Sequence, residues 1–519
     1  MALTTHGAKL KILFVTTEEA PFAKVGGLGE VMYSLPRALV ELGHDARVII
    51  PAYDSIIQNE KVISLIQEDI GVPTMPENKG ERISCNVSMY ERNGDPRSPA
   101  TTYFLENQEY YGSRSNVYGY KDDALRFVLL CRGTLEFLAE SDWMPDVVVS
   151  TDWMTGFLPN LLKTDYKEYR QFKKLSTVLS IHNLESQGPL RHHRFIPESE
   201  RDDGHGSLPA FSDPRLEHVN AMRRGILYAD AINTVSPRYA EEIMTEEFGE
   251  ELDGLLREKR GQLFGILNGI DYEKNDPADD PLLARTFSPQ KLQLRAENKA
   301  ALQKRFGLEL EEKIFVMGIV SRLTPQKGFD LLEPVIGDFL ALSGAQLIVL
   351  GEGDPEIMSF FSELEEKYPR QVRAHLKFDA DLPHLIFAGA DVTLVPSHFE
   401  PSGLIQMEAM HYGAIPIAHG IGGLADTIDD FSPETGKGTG FLFREPNATA
   451  LLIAIVRAYE DWQHKRVWPK IQRTAMEKDF SWLRSAKEYE KLFKISIAVR
   501  KKSRKKTPPS EFYPEFKYE

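Results

Sequence analysis

Short apolar runs recur along the chain, and each is followed by a polar or glycine-rich segment. In the first half the runs cover residues 11–15 and 45–51, and the segment 31–42 between them has apolar residues at helical spacing. Runs of this length that are rich in β-branched residues are typical of buried strands, and helices between them indicate a doubly wound parallel sheet. Further strands are predicted at 147–149 and 177–181.

The same pattern begins again in the second half of the chain. Apolar runs cover residues 314–320, 346–350, 390–395 and 414–418, and each ends at a polar or glycine-rich motif. The sequence therefore predicts an α/β protein with two Rossmann-like doubly wound sheets. Because ligands bind at the carboxyl ends of parallel strands, the motifs that follow the strands are the candidates for a functional site.

The boundary between the two predicted domains is placed near Gly265. A glycine- and asparagine-containing segment lies there, and an exposed connection rich in Asp and Pro follows at 276–280. We therefore predict a first domain at 1–264 and a second domain at 265–478. A nearly continuous basic run begins at Arg500 and is followed by prolines, so residues 499–519 are predicted to form a disordered tail, with a binding role as the less favoured alternative.

Composition fits a globular protein of two to three domains. Of the 519 residues 42% are apolar and 27% are charged, and no apolar stretch is suited to a signal core or a membrane span. The net charge of −15 argues against nucleic acid or an anionic membrane as a partner. Cys85 and Cys131 are too few for a disulfide framework or a structural metal site, so we predict a cytoplasmic protein.

The most informative motif places Glu400 and Glu408 around a Ser-Gly step where a strand turns into a helix. Ser402 is predicted to cap a helix that starts at Gly403. The N–H groups of Gly403 and Leu404 in its first turn could then bind a phosphate without a charged side chain. The two glutamates lie about two helical turns apart, so they could bind different parts of one ligand. The alternative is a pair of surface glutamates.

This Glu-x7-Glu motif and its surroundings resemble the bacterial glycogen synthase and plant starch synthase family. Other segments that match in order extend the resemblance from about Lys11 to Phe493. The family consists of retaining glycosyltransferases of the GT-B type, with two Rossmann-like domains facing a central cleft. The resemblance implies transfer of glucose from ADP-glucose to the non-reducing end of an α-1,4-glucan. It also implies a last helix, at 479–498, that crosses back onto the first domain.

Two loops offer positive charge to a donor. Lys24 precedes Gly26 and Gly27, which are expected to allow positive φ and close backbone approach, with a purely structural turn as the alternative. Arg322 and Lys327 lie in one loop after a predicted strand, where two cations could neutralise a departing nucleoside diphosphate. Solvated surface cations are the alternative for that pair. The resemblance implies that Lys24 and Gly27 face the phosphates and sugar of the donor.

The resemblance assigns further donor contacts. Glu400 would lie near the sugar ring or the positive charge that develops at its anomeric carbon, and Glu408 near the ribose hydroxyls. Phe378 falls where the family has an aromatic residue near the base, and core packing is the alternative for its ring. No Asp-x-Asp pair stands out as a ligand for a divalent metal, so neither a metal nor a cofactor is predicted.

The acceptor side follows two strands of the first half. Asp152 and Trp153 match the family motif His-Asp-Trp-His-Thr, but Met154 occupies the second histidine position and cannot donate a hydrogen bond. The resemblance implies that Asp152 is catalytic and that all three residues lie on the acceptor side.

A second acceptor-side motif begins at His182. Residues 182–188 resemble the family loop His-Asn-x-x-Tyr-Gln-Gly, in which Ser186 replaces the tyrosine. By resemblance His182 lies beside the reacting carbon, and Asn183 and Gln187 belong to the acceptor side. An isolated histidine after a strand would otherwise be read as structural.

These substitutions keep other functions open. Met154, Glu185 and Ser186 are compatible with a related retaining GT-B transferase that has a different sugar donor or a non-glucan acceptor. A glucan-binding protein without turnover is disfavoured because the charged residues of the motifs are retained. ADP- and UDP-sugars stay alternative donors, and the sequence assigns no oligomeric state.

Overall fold

Parallel strands alternate with helices in both halves of the chain. The computed structural model describes residues 9–57, 63–92, 94–95, 97–188, 196–197 and 200–503. These residues form two compact units. The first contains the chain up to Val235, residues 240–266 and the residues from Trp482 onward, and the second contains residues 236–239 and 267–481.

The first unit is built on a nine-stranded sheet with the strand order β3-β4-β5-β2-β1-β6-β7-β8-β9. Its strands are β1 (Lys11–Val15), β2 (Asp45–Pro51), β3 (Ile63–Pro73), β4 (Arg82–Tyr90), β5 (Thr101–Glu106), β6 (Val147–Thr151), β7 (Ser176–Ile181), β8 (Ala231–Thr234) and β9 (Leu263–Gly265). All neighbours are parallel except that β4 runs antiparallel to β3 and to β5. The parallel sheet is thus confirmed, but the antiparallel edge was not predicted. The reason is that β3 is largely exposed and carries no continuous apolar run.

The second unit contains a six-stranded sheet in which all neighbouring strands are parallel, in the order β12-β11-β10-β13-β14-β15. Its strands are β10 (Val316–Val320), β11 (Gln346–Leu350), β12 (Val372–His375), β13 (Val392–Val395), β14 (Ile415–His419) and β15 (Phe441–Phe443). The four strands predicted from apolar runs are confirmed. The two outer strands β12 and β15 are short and were not predicted.

Helices cover the sheets of both units. The α-helices of the first unit include Gly27–Glu41, Asp54–Ile57, Asp123–Glu140, Asp152–Thr155, Phe157–Lys163, Ala221–Tyr228, Asp253–Glu258 and Trp482–Ser503, while Pro237–Glu242 begins in the second unit and ends in the first. Those of the second unit include Arg295–Arg305, Phe329–Ser343, Pro355–Lys367, Leu382–Gly389, Ile405–His411, Gly422–Thr427, Ala448–Gln463 and Trp468–Met476. Within the described residues, no helix is both long and apolar enough to cross a bilayer.

The last helix, Trp482–Ser503, packs in the core of the first unit. Tyr489 and Leu492 are fully buried there together with residues of β1, and the ring of Phe493 contacts that of Phe14 edge-on at 6.4 Å. The helix includes residues 499–503, so the prediction of a disordered tail from 499 is wrong for these positions. Basic residues in the last turn interact favourably with the helix dipole, which a reading of the charge run alone did not consider. Residues 504–519 of the predicted tail lie outside the described residues.

Candidate active site

A lysine and a glutamate form an ion pair at the carboxyl ends of two neighbouring strands in the second unit. Lys327 follows β10 and Glu400 follows β13, and Lys327 Nζ lies 2.6 Å from Glu400 Oε2. The hydroxyl of Ser397 donates a hydrogen bond of 3.0 Å to the same oxygen. Glu400 is buried, so its carboxylate is fixed by these two partners before any ligand binds.

Backbone contacts hold the two loops together. His398 N donates to the carbonyl of Gln326, and the Gln326 side chain donates to the carbonyl of Phe399, both at 2.9 Å. Gly328 has φ of +70°, and a Cβ at this position would lie 2.1 Å from the carbonyl oxygen of Pro396. Only glycine therefore allows the close approach that brings Lys327 to Glu400.

Arg322 lies at the start of the same loop as Lys327. Its side chain is exposed and has no ion pair or hydrogen bond to any residue that the structure describes. The loop therefore presents one cation that is paired with a carboxylate and another that is open to solvent. Both cations follow the carboxyl end of β10, where ligands of parallel sheets bind.

The turn between β13 and the next helix differs from the prediction. The helix begins at Ile405 with Leu404 as its N-cap, and Ser402 does not cap it because the buried Ser402 hydroxyl has no hydrogen-bond partner among the described residues. Gly403 instead adopts a left-handed conformation with φ of +63°. The side-chain amide of Gln406 donates to the carbonyls of Ser402 and Gly403 and closes the turn.

Two further predicted donor-binding residues lie in the second unit. Phe378 follows β12, and 75% of its surface is exposed, so the alternative of core packing is wrong. Its backbone N–H donates to Glu352 at 3.1 Å. Glu408 lies in the helix Ile405–His411 and is partly buried. Contacts of Phe378 with a base and of Glu408 with a ribose stay predictions.

In the first unit, Lys24 forms an ion pair with Glu30, with 2.5 Å between Nζ and Oε1. The expectation of positive φ at the neighbouring glycines is wrong, because Gly26 has φ of −139° and Gly27 begins the helix Gly27–Glu41. A Cβ added at Gly26 or Gly27 would meet no atom within 4 Å. The space beside these two glycines is therefore open, so the backbone can be approached closely by a ligand.

Glu18 is a residue of this loop that the motif analysis missed. Its buried carboxylate accepts hydrogen bonds from the backbone N–H groups of Val25, at 2.6 Å, and Gly26, at 2.9 Å. Its second oxygen accepts a hydrogen bond from the Tyr118 hydroxyl at 2.7 Å. The signal in the sequence was its position shortly after β1, at the carboxyl end of a central strand, where the other candidate motifs were sought.

Asp152 connects the ends of β6 and β7. Its Oδ1 atom accepts hydrogen bonds from the backbone N–H groups of His182, at 2.7 Å, and Asn183, at 3.1 Å. The backbone of Asp152 itself is left-handed, with φ of +47°. Such conformations are uncommon for residues other than glycine and are often found at functional sites, although aspartate tolerates them better than most residues.

Burial changes the acidity of both side chains in opposite directions. It raises the pKa of Asp152 to about 7, although the two backbone hydrogen bonds favour the ionised form. Burial also lowers the pKa of His182 to about 4, so the imidazole is neutral at neutral pH. A ring nitrogen of His182 lies 3.1 Å from the Ser180 hydroxyl. Near pH 7 His182 is therefore suited to hydrogen bonding rather than to contributing a positive charge.

Three other predicted acceptor-side residues are buried. Trp153 packs edge-on against Phe127 at 5.2 Å, and Met154 is also inside the fold. The amide of Gln187 is fully buried, donates to the carbonyl of Glu250 at 2.8 Å and accepts from Asn220 at 2.7 Å. The acceptor roles of these side chains stay predictions.

The structure thus brings predicted residues together within each unit. Lys327 and Glu400 are in contact in the second, and Asp152 contacts the 182–183 backbone in the first. No group of three or more His, Cys, Asp or Glu residues is placed to hold a metal ion in the part of the chain that the structure describes.

Both halves of the chain match known family models. Residues 11–258 match the starch synthase catalytic domain, and residues 301–474 match glycosyl transferases group 1. The chain is 40% identical over 499 residues to a glycogen synthase of Thermotoga maritima, which covers 94% of this chain and 99% of the relative. It is 41% identical over 489 residues to a glycogen synthase of Anoxybacillus flavithermus, with coverage of 93% and 97%.

Solved structures are similar over nearly the whole chain. The catalytic domain of starch synthase IV from Arabidopsis thaliana, bound to ADP and acarbose, matches with a TM-score of 0.80 at 32% identity, covering 95% of this chain and 100% of that one. Sucrose-phosphate synthase from Thermosynechococcus elongatus matches with a TM-score of 0.58 at 19% identity over 95% of this chain and 100% of its own, which supports the fold alone.

Two Rossmann-like units with charged residues at their strand ends, together with these matches, define a glycosyltransferase with the GT-B fold. The identity to curated relatives is spread over almost the entire length of both chains. The chain belongs to the bacterial glycogen synthase and plant starch synthase family.

Proposed function

We propose that this chain is a retaining glucosyltransferase that transfers glucose from ADP-glucose to the non-reducing end of an α-1,4-glucan. The observation that carries the proposal is the Lys327–Glu400 ion pair at the carboxyl ends of β10 and β13, in a chain of this family. Support for the donor and acceptor comes from relatives named glycogen synthase and from a starch synthase structure bound to ADP and acarbose.

The main electrostatic demand of this reaction is the negative charge that grows on the departing nucleoside diphosphate. In the proposal Lys327 and Arg322 stabilise that charge, and the N–H groups of Gly403 and Leu404 contribute to phosphate binding. Ser402 belongs to the same turn. Lys327 is already fixed by Glu400, so little reorganisation is needed when the charge develops.

The proposal gives Glu400 a second role, near the anomeric carbon of the donor sugar. There its carboxylate would stabilise the positive charge of an oxocarbenium-like transition state. Glu408 would bind the ribose hydroxyls, and the exposed ring of Phe378 would stack on the base. Lys24, Gly26 and Gly27 are proposed to contact the same donor.

On the acceptor side, the proposal uses Asp152 and the loop that it holds, with His182, Asn183 and Gln187. A glucan is uncharged, so its hydroxyl groups are recognised by hydrogen bonds rather than by ion pairs. The neutral imidazole of His182 is compatible with that task. Trp153 and Met154 are proposed to support the acceptor-side residues by packing beneath them, because both side chains are buried.

The test is a grid of donors and acceptors for the wild type and for Glu400→Gln. ADP-glucose and UDP-glucose would each be combined with glycogen, maltose and free glucose. We expect transfer from ADP-glucose to glycogen, and a loss of about a hundredfold or more in kcat for the variant, because the charge near the reacting carbon is removed. Glu366→Ala, which changes an exposed glutamate on the helix Pro355–Lys367, serves as the control and should retain activity.

Each other outcome has a defined meaning. Transfer only to a small sugar, or only from another donor, would support a related transferase instead. Binding of glycogen without release of nucleotide from any donor would indicate a glucan-binding protein. Full activity of Glu400→Gln would remove Glu400 from the proposed mechanism.

A further inference from the structure

Glu18 is a buried carboxylate that the proposed mechanism does not use. It is 3% exposed and forms no ion pair with any residue that the structure describes. Its charge is instead balanced by hydrogen bonds from Val25 N, Gly26 N and the Tyr118 hydroxyl. Burying a carboxyl group is costly unless it is hydrogen-bonded, and these three donors meet that requirement.

The hydrogen bonds of Glu18 hold the end of the loop between β1 and the helix Gly27–Glu41. One oxygen, Oε2, accepts from two consecutive backbone N–H groups, those of Val25 and Gly26. The other oxygen is fixed by Tyr118, whose hydroxyl also lies 2.6 Å from the Thr17 hydroxyl. Backbone hydrogen bonds between Glu19 and Ala23 hold the first part of the loop. At Val25 and Gly26 the side chain of Glu18 does so, because Gly26 has no side chain and Val25 is 63% exposed.

The same contacts decide which backbone groups a ligand can use. Gly26 is the N-cap of the helix and no side chain caps it, so the N–H groups of the first helical turn lack intrahelical acceptors. The N–H groups of Val25 and Gly26 are already occupied by Glu18. A phosphate that approaches the open side of Gly26 and Gly27 would thus meet the first turn of the helix rather than the loop before it.

We propose that Glu18 is a positioning residue that holds residues 24–27 in the shape that binds the nucleotide-sugar donor, before the donor arrives. The inference rests on the proposed function for the role of this loop. Glu18 acts through the backbone of Val25 and Gly26. The length of its side chain, which places an oxygen atom within hydrogen-bond distance of both N–H groups, matters more than its charge.

Two substitutions separate the effect of side-chain length from the effect of charge at Glu18. Glu18→Gln keeps the length of the side chain and an oxygen that can accept both N–H groups, but removes the charge. Glu18→Asp keeps the charge but shortens the side chain by one methylene, so the two N–H groups lose their acceptor. We expect Glu18→Asp to raise KM for ADP-glucose about tenfold or more with KM for glycogen unchanged, while Glu18→Gln stays within about threefold of the wild type.

Glu19 provides the matched control. It is the next residue, is also buried, and accepts a hydrogen bond of 2.8 Å from Thr102 rather than from the loop backbone. Burial raises the pKa of Glu19 well above its usual value, and Glu19→Gln keeps the length of the side chain and an oxygen that can accept from Thr102. This variant should bind the donor like the wild type.

A second measurement needs no ligand. Amide hydrogen exchange at Val25 and Gly26 should be clearly faster in Glu18→Asp than in the wild type, and nearly unchanged in Glu18→Gln and Glu19→Gln. If the wild type did not use ADP-glucose, the proposed function would fail, while the exchange rates would still decide the role of Glu18. The inference is overturned if Glu18→Asp exchanges like the wild type, if Gln is the more damaging substitution, or if KM for glycogen rises as much as KM for the donor.

Discussion

Lys327 and Glu400 are 73 positions apart in sequence and share one short contact. Each stabilises the other in a partly buried place, because an unpaired charge would be costly there. A substitution of Lys327 therefore has two consequences. Loss of the lysine affects both the leaving group and the carboxylate beside it.

We therefore expect Lys327→Met to lower kcat by about a hundredfold or more, with a smaller change in KM for glycogen, because the stabilisation lost belongs mainly to the transition state. Steady-state kinetics with ADP-glucose and glycogen measure this. Lys465→Met, an exposed lysine of the same unit, is the control. A fall in affinity for glycogen alone would contradict the role assigned to Lys327.

Asp152 and His182 should make the stability depend on pH with opposite signs. The pKa of Asp152 is raised, so its contribution to stability is present in acid and is lost as the pH rises towards 7. The pKa of His182 is lowered, so its contribution is present above its ordinary pKa and is lost as the pH falls towards 4. In the wild type the two effects offset one another between these values.

Single substitutions should reveal each effect. In Asp152→Asn the free energy of unfolding of the first unit should rise with pH between about 4.5 and 6.5, by up to about 1.4 kcal/mol per pH unit relative to the wild type. In His182→Gln it should fall over the same range. Urea denaturation at several pH values measures both, and curves parallel to the wild type would contradict the assigned protonation states.

The loop after β10 depends on one glycine. Gly328 and Gly344 have nearly the same left-handed φ, +70° and +68°, but a Cβ would lie 2.1 Å from Pro396 O at Gly328 and would meet no atom within 4 Å at Gly344. A side chain at Gly344 would therefore meet backbone strain alone, whereas a side chain at Gly328 would meet both backbone strain and a steric clash.

Gly344→Ala should cost about 1 kcal/mol of unfolding free energy, whereas Gly328→Ala should cost clearly more and also lower kcat, because the loop that carries Lys327 must move. Thermal melts and turnover of the two variants test this. Equal losses of stability with full activity in both would show that the contact with Pro396 does not position Lys327.

The C-terminal helix of the first unit shows how distant parts of the chain complete one core. Leu492 is fully buried beside residues of β1, whereas Leu483, at the start of the same helix, is 38% exposed. The first unit therefore depends on residues from both ends of the chain.

Leu492→Ala should destabilise the first unit by about 2–5 kcal/mol, because it leaves a cavity in the core, and Leu483→Ala should have a small effect. Since the chain has two compact units, calorimetry should show the change mainly in one unfolding transition. A uniform shift of all transitions, or equal effects of both variants, would contradict this assignment.

Much of the scaffold could be predicted from the sequence, because buried parallel strands are continuous apolar runs. β1, β2 and β11 were predicted with the bounds that the structure has. β3 and β4 were missed because a strand that is open on one face mixes polar and apolar residues. The end of the C-terminal helix was misjudged because basic residues in a last turn interact favourably with the helix dipole, so a basic run does not by itself end a helix.

For the candidate site, the sequence by itself determined which residue types follow the strands and the family to which they point, since these depend on local order along the chain. Tertiary structure decided the rest. The contact of Lys327 with Glu400 depends on the distance between segments far apart in sequence. Local packing and geometry decided three further features, which are the hydrogen bond from Gly26 to Glu18, the exposure of Phe378 and the turn at Gly403. Burial likewise set the opposite pKa shifts of Asp152 and His182, because the cost of a charge depends on its surroundings and not on its neighbours in the chain.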